Sequence, residues 1–253
     1  MIIDSGTEKS RDIRKRFEAF LSSSFIDELE NSEDAIVFGG DGTLIYNANK
    51  FGLGRTYLPI NGGSLGFLMN DVDDLAEAAS MIESSKFNVR EFITLKAKLQ
   101  NGDREYQDVA INDVYMERAS GQAAKLTILI GGKNIVEKMV CDGIIVSSPL
   151  GSTGYNRSAG GSICLPSSEV LQITPICAHH PALPPIIVPI TSEIKIYSEE
   201  KEKRPVRAVV DGRSYSEISN VTVNINSDNL KLAYFEGNDF TDRLINKIIK
   251  KGN

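Results

Sequence analysis

Hydrophobic and polar positions follow two alternating patterns along the first ninety residues. Residues 11–29 carry apolar side chains at helical spacing, and so do residues 71–83, where Asp71 lies in the region suited to an N-cap. Residues 34–38 and 56–60 are short apolar runs that lead into glycine-rich segments, as is typical of buried parallel strands. This alternation predicts a parallel sheet with flanking helices.

From about residue 92 to residue 235 the pattern changes to short strands and turns. Two pairs of strand-like segments flank the turns Gly131-Gly132 and Asp211-Gly212, and each pair predicts a β-hairpin. The segments are 125–130 with 133–140, and 206–210 with 214–218. Prolines concentrate between residues 166 and 189, which predicts an extended or irregular stretch.

The C-terminal segment 239–251 predicts an amphipathic helix with a basic last turn, which suits the negative end of the helix dipole. The apolar side of this helix is formed by Phe240, Leu244, Ile245, Ile248 and Ile249. We interpret residues 247–251 as a solvated helix end. The pattern alone leaves open whether the helix packs on the α/β part or on the β-rich part.

The composition is that of an ordinary globular protein. Of 253 residues, 41% are hydrophobic and 25% are charged, which excludes chain-wide disorder, a coiled coil and a fibre. The net charge of −6 argues against non-specific nucleic-acid binding and leaves a local basic groove as the alternative, so we expect no nucleic-acid partner. No apolar run reaches the ~18 residues that span a bilayer, and the first residues lack the pattern of a secretory signal. We therefore expect no membrane partner.

The cysteines and histidines, the usual ligands of zinc, are few and poorly spaced for a metal site. Cys141, Cys164 and Cys177 match neither a disulfide framework nor a zinc site, and their sparse use suits a reducing cytoplasm. His179 and His180 are adjacent and would diverge on an extended segment, so we expect them to pack or to bond within a loop. We predict no metal site built from these side chains.

The segment Phe38-Gly-Gly-Asp-Gly-Thr43 follows the first apolar run directly. Its glycines allow close approach of the backbone to a ligand, and successive N–H groups at such a turn suit phosphates. Because Asp41 would repel phosphate, we interpret it as a Mg²⁺ ligand or as the proton acceptor for an attacking hydroxyl. A plain Asp-Gly turn is the alternative. No Gly-Lys-Ser/Thr follows, so the segment is not a Walker-type loop.

A second glycine-rich segment, Asn61-Gly-Gly-Ser-Leu-Gly-Phe67, follows the next apolar run. Two parallel strands that end in such loops bring both loops to the carboxyl edge of one sheet, where open α/β sheets bind ligands. An ordinary turn is the alternative for this segment when it is taken alone.

Two further polar features lie in the β-rich part. Asn112 and Asp113 interrupt the apolar run 109–114, so at least one of them faces the core or a cleft and needs a partner, either a ligand or a neighbouring amide. The run 144–148 leads into a loop that is rich in glycine and hydroxyl side chains and contains Tyr155, whose ring could stack on a base. A long surface loop is the alternative.

Together these four segments resemble the NAD kinase family, in which they occur in the same order from about residue 34 to residue 235. The Gly-Gly-Asp-Gly-Thr loop is shared with diacylglycerol and sphingosine kinases, and 6-phosphofructokinases carry a close relative of it. The segment 147–155, with Asp142 before it and residues 158–161 after it, is more specific to NAD kinases.

The resemblance implies an α/β plus all-β fold, with a Rossmann-like N-terminal domain and a β-sandwich-like C-terminal domain that hold NAD between them. We accordingly expect the α/β domain in residues 1–92 and the β-rich domain in residues 93–235. The helix in residues 236–253 is then expected to pack back on the α/β domain.

The resemblance also implies which residues form the site. Asp41 is expected to accept the proton of the 2′-hydroxyl of the adenosine ribose. Asn112 and Asp113 are expected to hold NAD, and Asp142 to contact NAD with reach across a subunit interface. The other expected binding residues are Gly39, Gly40, Gly42, Thr43, Asn61, Gly62, Gly63, Phe67, Thr153, Gly154, Tyr155, Ser158, Cys177 and Asp211.

This chain departs from the family pattern at three places. Asp113 stands where the family usually has the longer glutamate, and Gly154 stands where alanine is common. Ile2-Ile3 is a short first strand, and the basic and proline-containing turn that usually follows is absent. These differences concern the reach of Asp113 to its ligand and the donor side of the site.

The expected function is transfer of the terminal phosphoryl of ATP or polyphosphate to NAD, with Mg²⁺, in a cytoplasmic homodimer or homotetramer. A diacylglycerol-type lipid kinase is one alternative, but the chain shows no obvious membrane-binding amphipathic segment with aromatic anchors. A non-catalytic dinucleotide sensor is another. Asp41 argues against the sensor because binding alone gains little from an anion beside phosphates.

Overall fold

The computed structural model describes residues 1–62, 66–237 and 240–249. They form two compact units, one of Met1–Phe92 with Asn229–Asn253 and the other of Ile93–Asp228. The first holds a mixed sheet with helices, and the second holds two antiparallel sheets. This confirms the predicted fold class, an α/β part and an all-β part.

The helices are α1 Glu8–Glu18, α2 Ser23–Asn31, α3 Asp41–Phe51, α4 Leu75–Glu83, α5 Tyr155–Ser158 and α6 Phe240–Arg243. A 3-10 turn spans Leu150–Thr153, and a π-helical segment, Leu244–Ile249, continues α6. The strands are β1 Ile2–Asp4, β2 Ala35–Gly39, β3 Thr56–Asn61, β4 Phe87–Phe92, β5 Leu95–Asn101, β6 Arg104–Ala110, β7 Asp113–Arg118, β8 Ala124–Ile130, β9 Lys133–Cys141, β10 Gly143–Ser147, β11 Val170–Ile176, β12 Ile186–Pro189, β13 Ile194–Ser198, β14 Val206–Val210, β15 Arg213–Ser216, β16 Asn220–Ile225 and β17 Leu230–Phe235.

The sheet of the first unit has the order β1-β2-β3-β17-β4. The pairs β1–β2, β2–β3 and β3–β17 are parallel, and β4 runs antiparallel to β17. Every residue of β2 is buried, which explains its unbroken apolar run. The two glycine-rich loops follow β2 and β3 and therefore lie at one edge of this sheet.

The start and the end of the helices differ from the prediction in two places. The stretch 11–29 forms two helices, because the Ser22 hydroxyl caps α2 by accepting the N–H of Phe25. Helix α4 begins after Asp74, whose carboxylate accepts the N–H groups of Ala76 and Glu77, and not at Asp71.

The predicted β-rich domain, residues 93–235, extends too far. Strand β17 pairs with β3 and β4, so it belongs to the first unit, and the second unit ends at Asp228. Its pairing partners lie far away in the sequence, and the local pattern of residues 230–235 does not indicate them.

Of the predicted helix 239–251, residues 240–249 are described, while Asp239 and residues 250–251 lie outside the described residues. The Phe240 ring packs edge-on against Phe92 and Tyr234.

The second unit has two six-stranded sheets, β12-β11-β10-β7-β14-β15 and β6-β5-β16-β13-β8-β9. Buried side chains of both sheets form one core cluster. The hairpins β8–β9 and β14–β15 confirm the two predicted turns, and all four turn residues, Gly131, Gly132, Asp211 and Gly212, have positive φ. The proline-rich stretch contains the strands β11 and β12.

The predicted single strand 109–114 is interrupted. Strand β6 ends at Ala110 and pairs with β5, while β7 begins at Asp113 and pairs with β10 and β14 of the other sheet. The chain therefore crosses between the sheets at Ile111 and Asn112, which places the polar pair at a bend.

Candidate functional site

The first cluster of predicted site residues lies where β2 leads into α3. Gly40 is the N-cap residue of α3 and Asp41 is its first residue. Gly39 is closely packed, because a Cβ at this position would lie 2.7 Å from the Thr43 hydroxyl oxygen. Gly40 and Gly42 have open space beside them. The loop thus leaves backbone accessible at two of its glycines.

The Asp41 carboxylate is held by the second glycine-rich loop. Its two oxygens accept the backbone N–H groups of Phe67 and Leu68, each at 2.8 Å. Burial raises the pKa of Asp41 above that of an ordinary aspartate, while the Leu68 and Phe67 N–H groups, Lys247 and Arg243 oppose the rise. Asp41 is therefore oriented by two donors rather than turned to solvent, which argues against a plain Asp-Gly turn.

The second loop is itself tied together. The Asn61 amide donates to Asp71 at 2.6 Å, and the Gly62 N–H donates to the Gly39 carbonyl at 2.8 Å. Gly66 has φ +46°, and a Cβ there would lie 2.8 Å from the Asn61 side-chain oxygen. The contacts of Asp41 with this loop confirm that the two loops meet. The predicted binding residue Gly63 lies outside the described residues.

Phe67 was expected to bind ligand, but its side chain is buried and packs against the Phe240 ring at 6.1 Å between centroids. Only its backbone takes part in the site, through the N–H bound to Asp41. The resemblance identified this position without distinguishing the two roles.

A groove of about 530 Å³ opens beside the first loop. It is lined by Ser5, Thr7, Lys9, Gly39, Gly40, Thr43 and Gly62. Hydroxyl groups, one ammonium group and glycine backbone are groups that suit phosphate oxygens. Four of these residues were predicted from the sequence. Ser5, Thr7 and Lys9 were missed, because they follow β1 with no glycine-rich signal.

The second cluster lies at the bend between β6 and β7 in the second unit. The Asp211 carboxylate accepts the N–H groups of Ile111, Asn112 and Asp113 at 2.5, 2.9 and 3.1 Å. Asp113 is buried, and burial together with the neighbouring Asp211 raises the pKa of Asp113 to about 7. Within the described residues, the side-chain oxygen of Asn112 is buried with no hydrogen-bond partner. Since buried polar atoms are usually satisfied, this oxygen marks a place for a ligand donor.

The hydroxyl-rich loop after β10 is built on a buried amide. Asn156 accepts from the Thr174 hydroxyl at 2.6 Å and donates to Gln172 at 3.1 Å. This anchor leaves Gly154, Tyr155 and Ser158 exposed and Thr153 half-buried. The Tyr155 ring meets Tyr115 edge-on, with centroids 5.1 Å apart. The loop therefore presents one aromatic ring and several hydroxyl groups on a fixed base.

Asp142 and Cys177 lie next to this loop. Asp142 forms an ion pair with Arg118 at 2.7 Å, a partner that no sequence pattern indicated. Cys177 is exposed, has φ +47° and follows β11.

The histidines lie near β9, where the N–H of His179 and the carbonyl of His180 both bond to the backbone of Val140. Among the described residues, no three His, Cys, Asp or Glu side chains converge on a metal position.

The structure also corrects the interpretation of the basic C-terminal end. Lys247 is not solvated, since its side chain is only 11% exposed and its Nζ lies 2.7 Å from both Gly66 O and Asp71 Oδ2. Lys247 and Arg243 are functional candidates that the sequence pattern did not show. In the part of the chain that the structure describes, no helix is long and apolar enough to cross a membrane.

Residues 111–231 match the family model of the ATP-NAD kinase C-terminal domain. The NAD kinase of Rickettsia typhi is 35% identical over 221 residues, which covers 86% of each chain. The NAD kinase of Rickettsia canadensis is 36% identical over 225 residues, with the same coverage. This chain belongs to the NAD kinase family.

Two solved structures, one of an NADH kinase and one of an NAD kinase, share the fold. Yeast NADH kinase complexed with NADH superposes with a TM-score of 0.85 at 21% identity, over 100% of this chain and 88% of that chain. An NAD kinase from Archaeoglobus fulgidus in complex with ATP has a TM-score of 0.77 at 22% identity, over 98% and 97%. At these identities the likeness supports the architecture.

Proposed function

We propose that this chain transfers the terminal phosphoryl of ATP to the 2′-hydroxyl of the adenosine ribose of NAD and so forms NADP. Membership of the NAD kinase family supports the reaction class. The observation that carries the proposal is the carboxylate of Asp41, which two backbone N–H groups hold beside a glycine-rich groove.

Asp41 acts as the proton acceptor in this proposal. Each of its oxygens accepts one amide hydrogen and keeps a further lone pair for the ribose hydroxyl. Burial raises its pKa, which makes it a stronger base than an exposed aspartate. The hydroxyl oxygen attacks the terminal phosphorus in line and its proton passes to Asp41, while the bond from this phosphorus to the bridging oxygen of ATP breaks and ADP leaves with the electron pair. Positioning supplies much of the rate in such transfers.

The donor phosphates lie in the groove beside Gly40 and Thr43, where Lys9 offers a compensating positive charge. Mg²⁺ enters as part of the MgATP substrate, since this cation is commonly held by substrate phosphates with few protein carboxylates. When bound, the cation neutralises charge on the transferred group. Polyphosphate offers the same phosphate chemistry and is the second donor to be assayed.

NAD is held by the second cluster in this proposal. The unpartnered oxygen of Asn112 accepts a hydrogen bond from the dinucleotide, and Tyr155 stacks on a base. Asp113, Asp142, Thr153, Gly154, Ser158 and Cys177 are proposed to surround the dinucleotide. We further propose that the enzyme works in the cytoplasm as a homodimer or homotetramer. Light scattering on the purified protein measures the molar mass and so tests the oligomeric state.

The test is an assay of NADP formation from NAD and MgATP, with an NADP-specific dehydrogenase as detector. We expect turnover in the natural chain and a loss of at least ~10³-fold in Asp41→Asn, with NAD affinity within about threefold by calorimetry. An equal loss of binding and turnover would contradict the assigned role of Asp41. The proposed reaction would be contradicted if no phosphorylated product formed with either donor, ATP or polyphosphate, and with either acceptor, NAD or NADH.

A further inference from the structure

The C-terminal helix, formed by Phe240–Arg243 and Leu244–Ile249, places two cations on the second glycine-rich loop. Lys247 donates to the Gly66 carbonyl at 2.7 Å, and Arg243 donates to the Phe67 carbonyl at 3.1 Å. These two carbonyls are adjacent in the chain. The loop therefore receives positive charge at two successive peptide groups.

The same two peptide groups hold Asp41 on their other side. The Gly66 carbonyl and the Phe67 N–H belong to one peptide unit, and the Phe67 carbonyl and the Leu68 N–H belong to the next. Phe67 N–H and Leu68 N–H are the two donors to the Asp41 carboxylate. Because C=O and N–H point in opposite directions in a trans peptide, each unit lies between a cation and the carboxylate. A cation at the carbonyl polarises the unit and strengthens its N–H as a donor.

Both cations are fixed in place. Arg243 is 6% exposed and lies over the rings of Tyr234 and Phe240, at 5.1 and 5.4 Å from their centroids. Lys247 also pairs with Asp71 at 2.7 Å. Mobile surface lysines do not hold one geometry in this way, because solvation and side-chain entropy compete with each contact.

We propose that Arg243 and Lys247 are positioning residues that act on Asp41 through the peptide groups 66–67 and 67–68. They hold the two N–H donors aligned on the carboxylate and favour its charged form, so that it stays ready to accept a proton. This inference rests on the proposed function of Asp41 in phosphoryl transfer. Among the described residues, the charged or titratable groups that act on Asp41 include Lys247 and Arg243 of the C-terminal helix and Tyr234 of β17, and the Asp71 carboxylate faces the same two cations.

The test compares Lys247→Met with Lys86→Met, which removes an exposed lysine from the same unit. We expect Lys247→Met to lower kcat about tenfold with the KM for NAD within about twofold. The acid limb of the pH profile of kcat/KM should move up by roughly half a unit, because the lost cation no longer favours the carboxylate. Lys247→Arg keeps the charge and should restore most of the rate.

A second readout does not depend on activity. Hydrogen exchange at the N–H groups of Phe67 and Leu68 should quicken at least about tenfold in Lys247→Met and stay unchanged in Lys86→Met. The inference would be overturned if hydrogen exchange at these two N–H groups were unchanged in Lys247→Met. It would also be overturned if Lys247→Met had the same kcat and the same acid limb of kcat/KM as Lys86→Met. Failure of the proposed function would be seen separately, because the natural chain would then form no NADP. Arg243 is buried and its loss endangers folding, so Lys247 carries the test.

Discussion

The carboxylate of Asp211 lies 2.9 Å from the backbone nitrogen of Asn112 and accepts its N–H, while the same carboxylate also accepts the N–H groups of Ile111 and Asp113. Asp211 thus fixes the bend at which the chain passes from one sheet of the second unit to the other. The resemblance implied contact of Asp211 with substrate, and the structure gives its side chain a supporting role at this bend.

We predict that Asp211→Ala lowers the free energy of unfolding by about 1–3 kcal/mol, because backbone donors at the bend lose their acceptor. The KM for NAD should rise more than kcat falls, since Asn112 and Asp113 lose their fixed orientation. Denaturant unfolding and steady-state kinetics measure the two effects. Glu202→Ala, an exposed carboxylate in the same unit, is the control and should change neither. Loss of kcat alone would point to a direct role in the chemistry.

The raised pKa of Asp113 predicts a pH-dependent stability. Its pKa is about 7 in the folded chain because of burial and the neighbouring Asp211, against 3.8 as the ordinary value. Between these values the folded state holds a proton that the unfolded state has released, so stability falls as pH rises from about 4 to about 7. The loss is at most about 4 kcal/mol. Unfolding of Asp113→Asn should lack this slope, whereas the exposed Asp103→Asn should keep it.

Tyr155 offers a test of base stacking. It is 37% exposed and rests edge-on against Tyr115. A stacked base contributes about 1–3 kcal/mol, so Tyr155→Ala should raise the KM for NAD roughly tenfold, and Tyr155→Phe should leave it within about twofold. Tyr197 lies on strand β13 and has the same exposure, so Tyr197→Ala is the matched control. Equal effects of the two alanine variants would contradict a stacking role.

The parts of the fold and site that could be predicted from the sequence rest on local signals. The buried runs of β2 and β3 stop at glycines, and parallel strands bring both loops to one edge, where Asp41 meets Phe67 and Leu68. Long-range pairings leave no such signal. Nothing in the pattern of 230–235 indicates that it pairs between β3 and β4.

The contacts of single side chains could not be predicted from the sequence pattern either. Lys247 contacts Gly66, 181 residues earlier in the chain, and its helix has the basic end of an ordinary solvated helix. The break between α1 and α2 lies at Ser22, whose hydroxyl caps α2 and whose N–H donates to Glu83, within a stretch whose apolar spacing continues through it. Such features depend on which groups meet after folding, and hydrophobic periodicity does not report that.

Two glycines of the first loop have different roles, one in close packing and the other in the approach of a ligand. A Cβ at Gly39 would lie 2.7 Å from the Thr43 hydroxyl oxygen and 2.8 Å from its Cβ, whereas a Cβ at Gly40 meets no atom within 4 Å. Gly40 has φ −119°, which alanine adopts readily. Gly39→Ala should therefore lower the free energy of unfolding by about 1–3 kcal/mol through overpacking.

Gly40→Ala should leave stability within about 0.5 kcal/mol, because its methyl group would meet no atom within 4 Å. Gly40 lines the groove that we assign to the donor phosphates. The KM for ATP should rise at least about fivefold, with the KM for NAD nearly unchanged. Thermal unfolding and kinetics with each substrate varied in turn measure the two variants side by side. A Gly40→Ala variant with an unchanged KM for ATP would place the donor elsewhere, because a methyl group at this position must obstruct phosphates that lie against the loop.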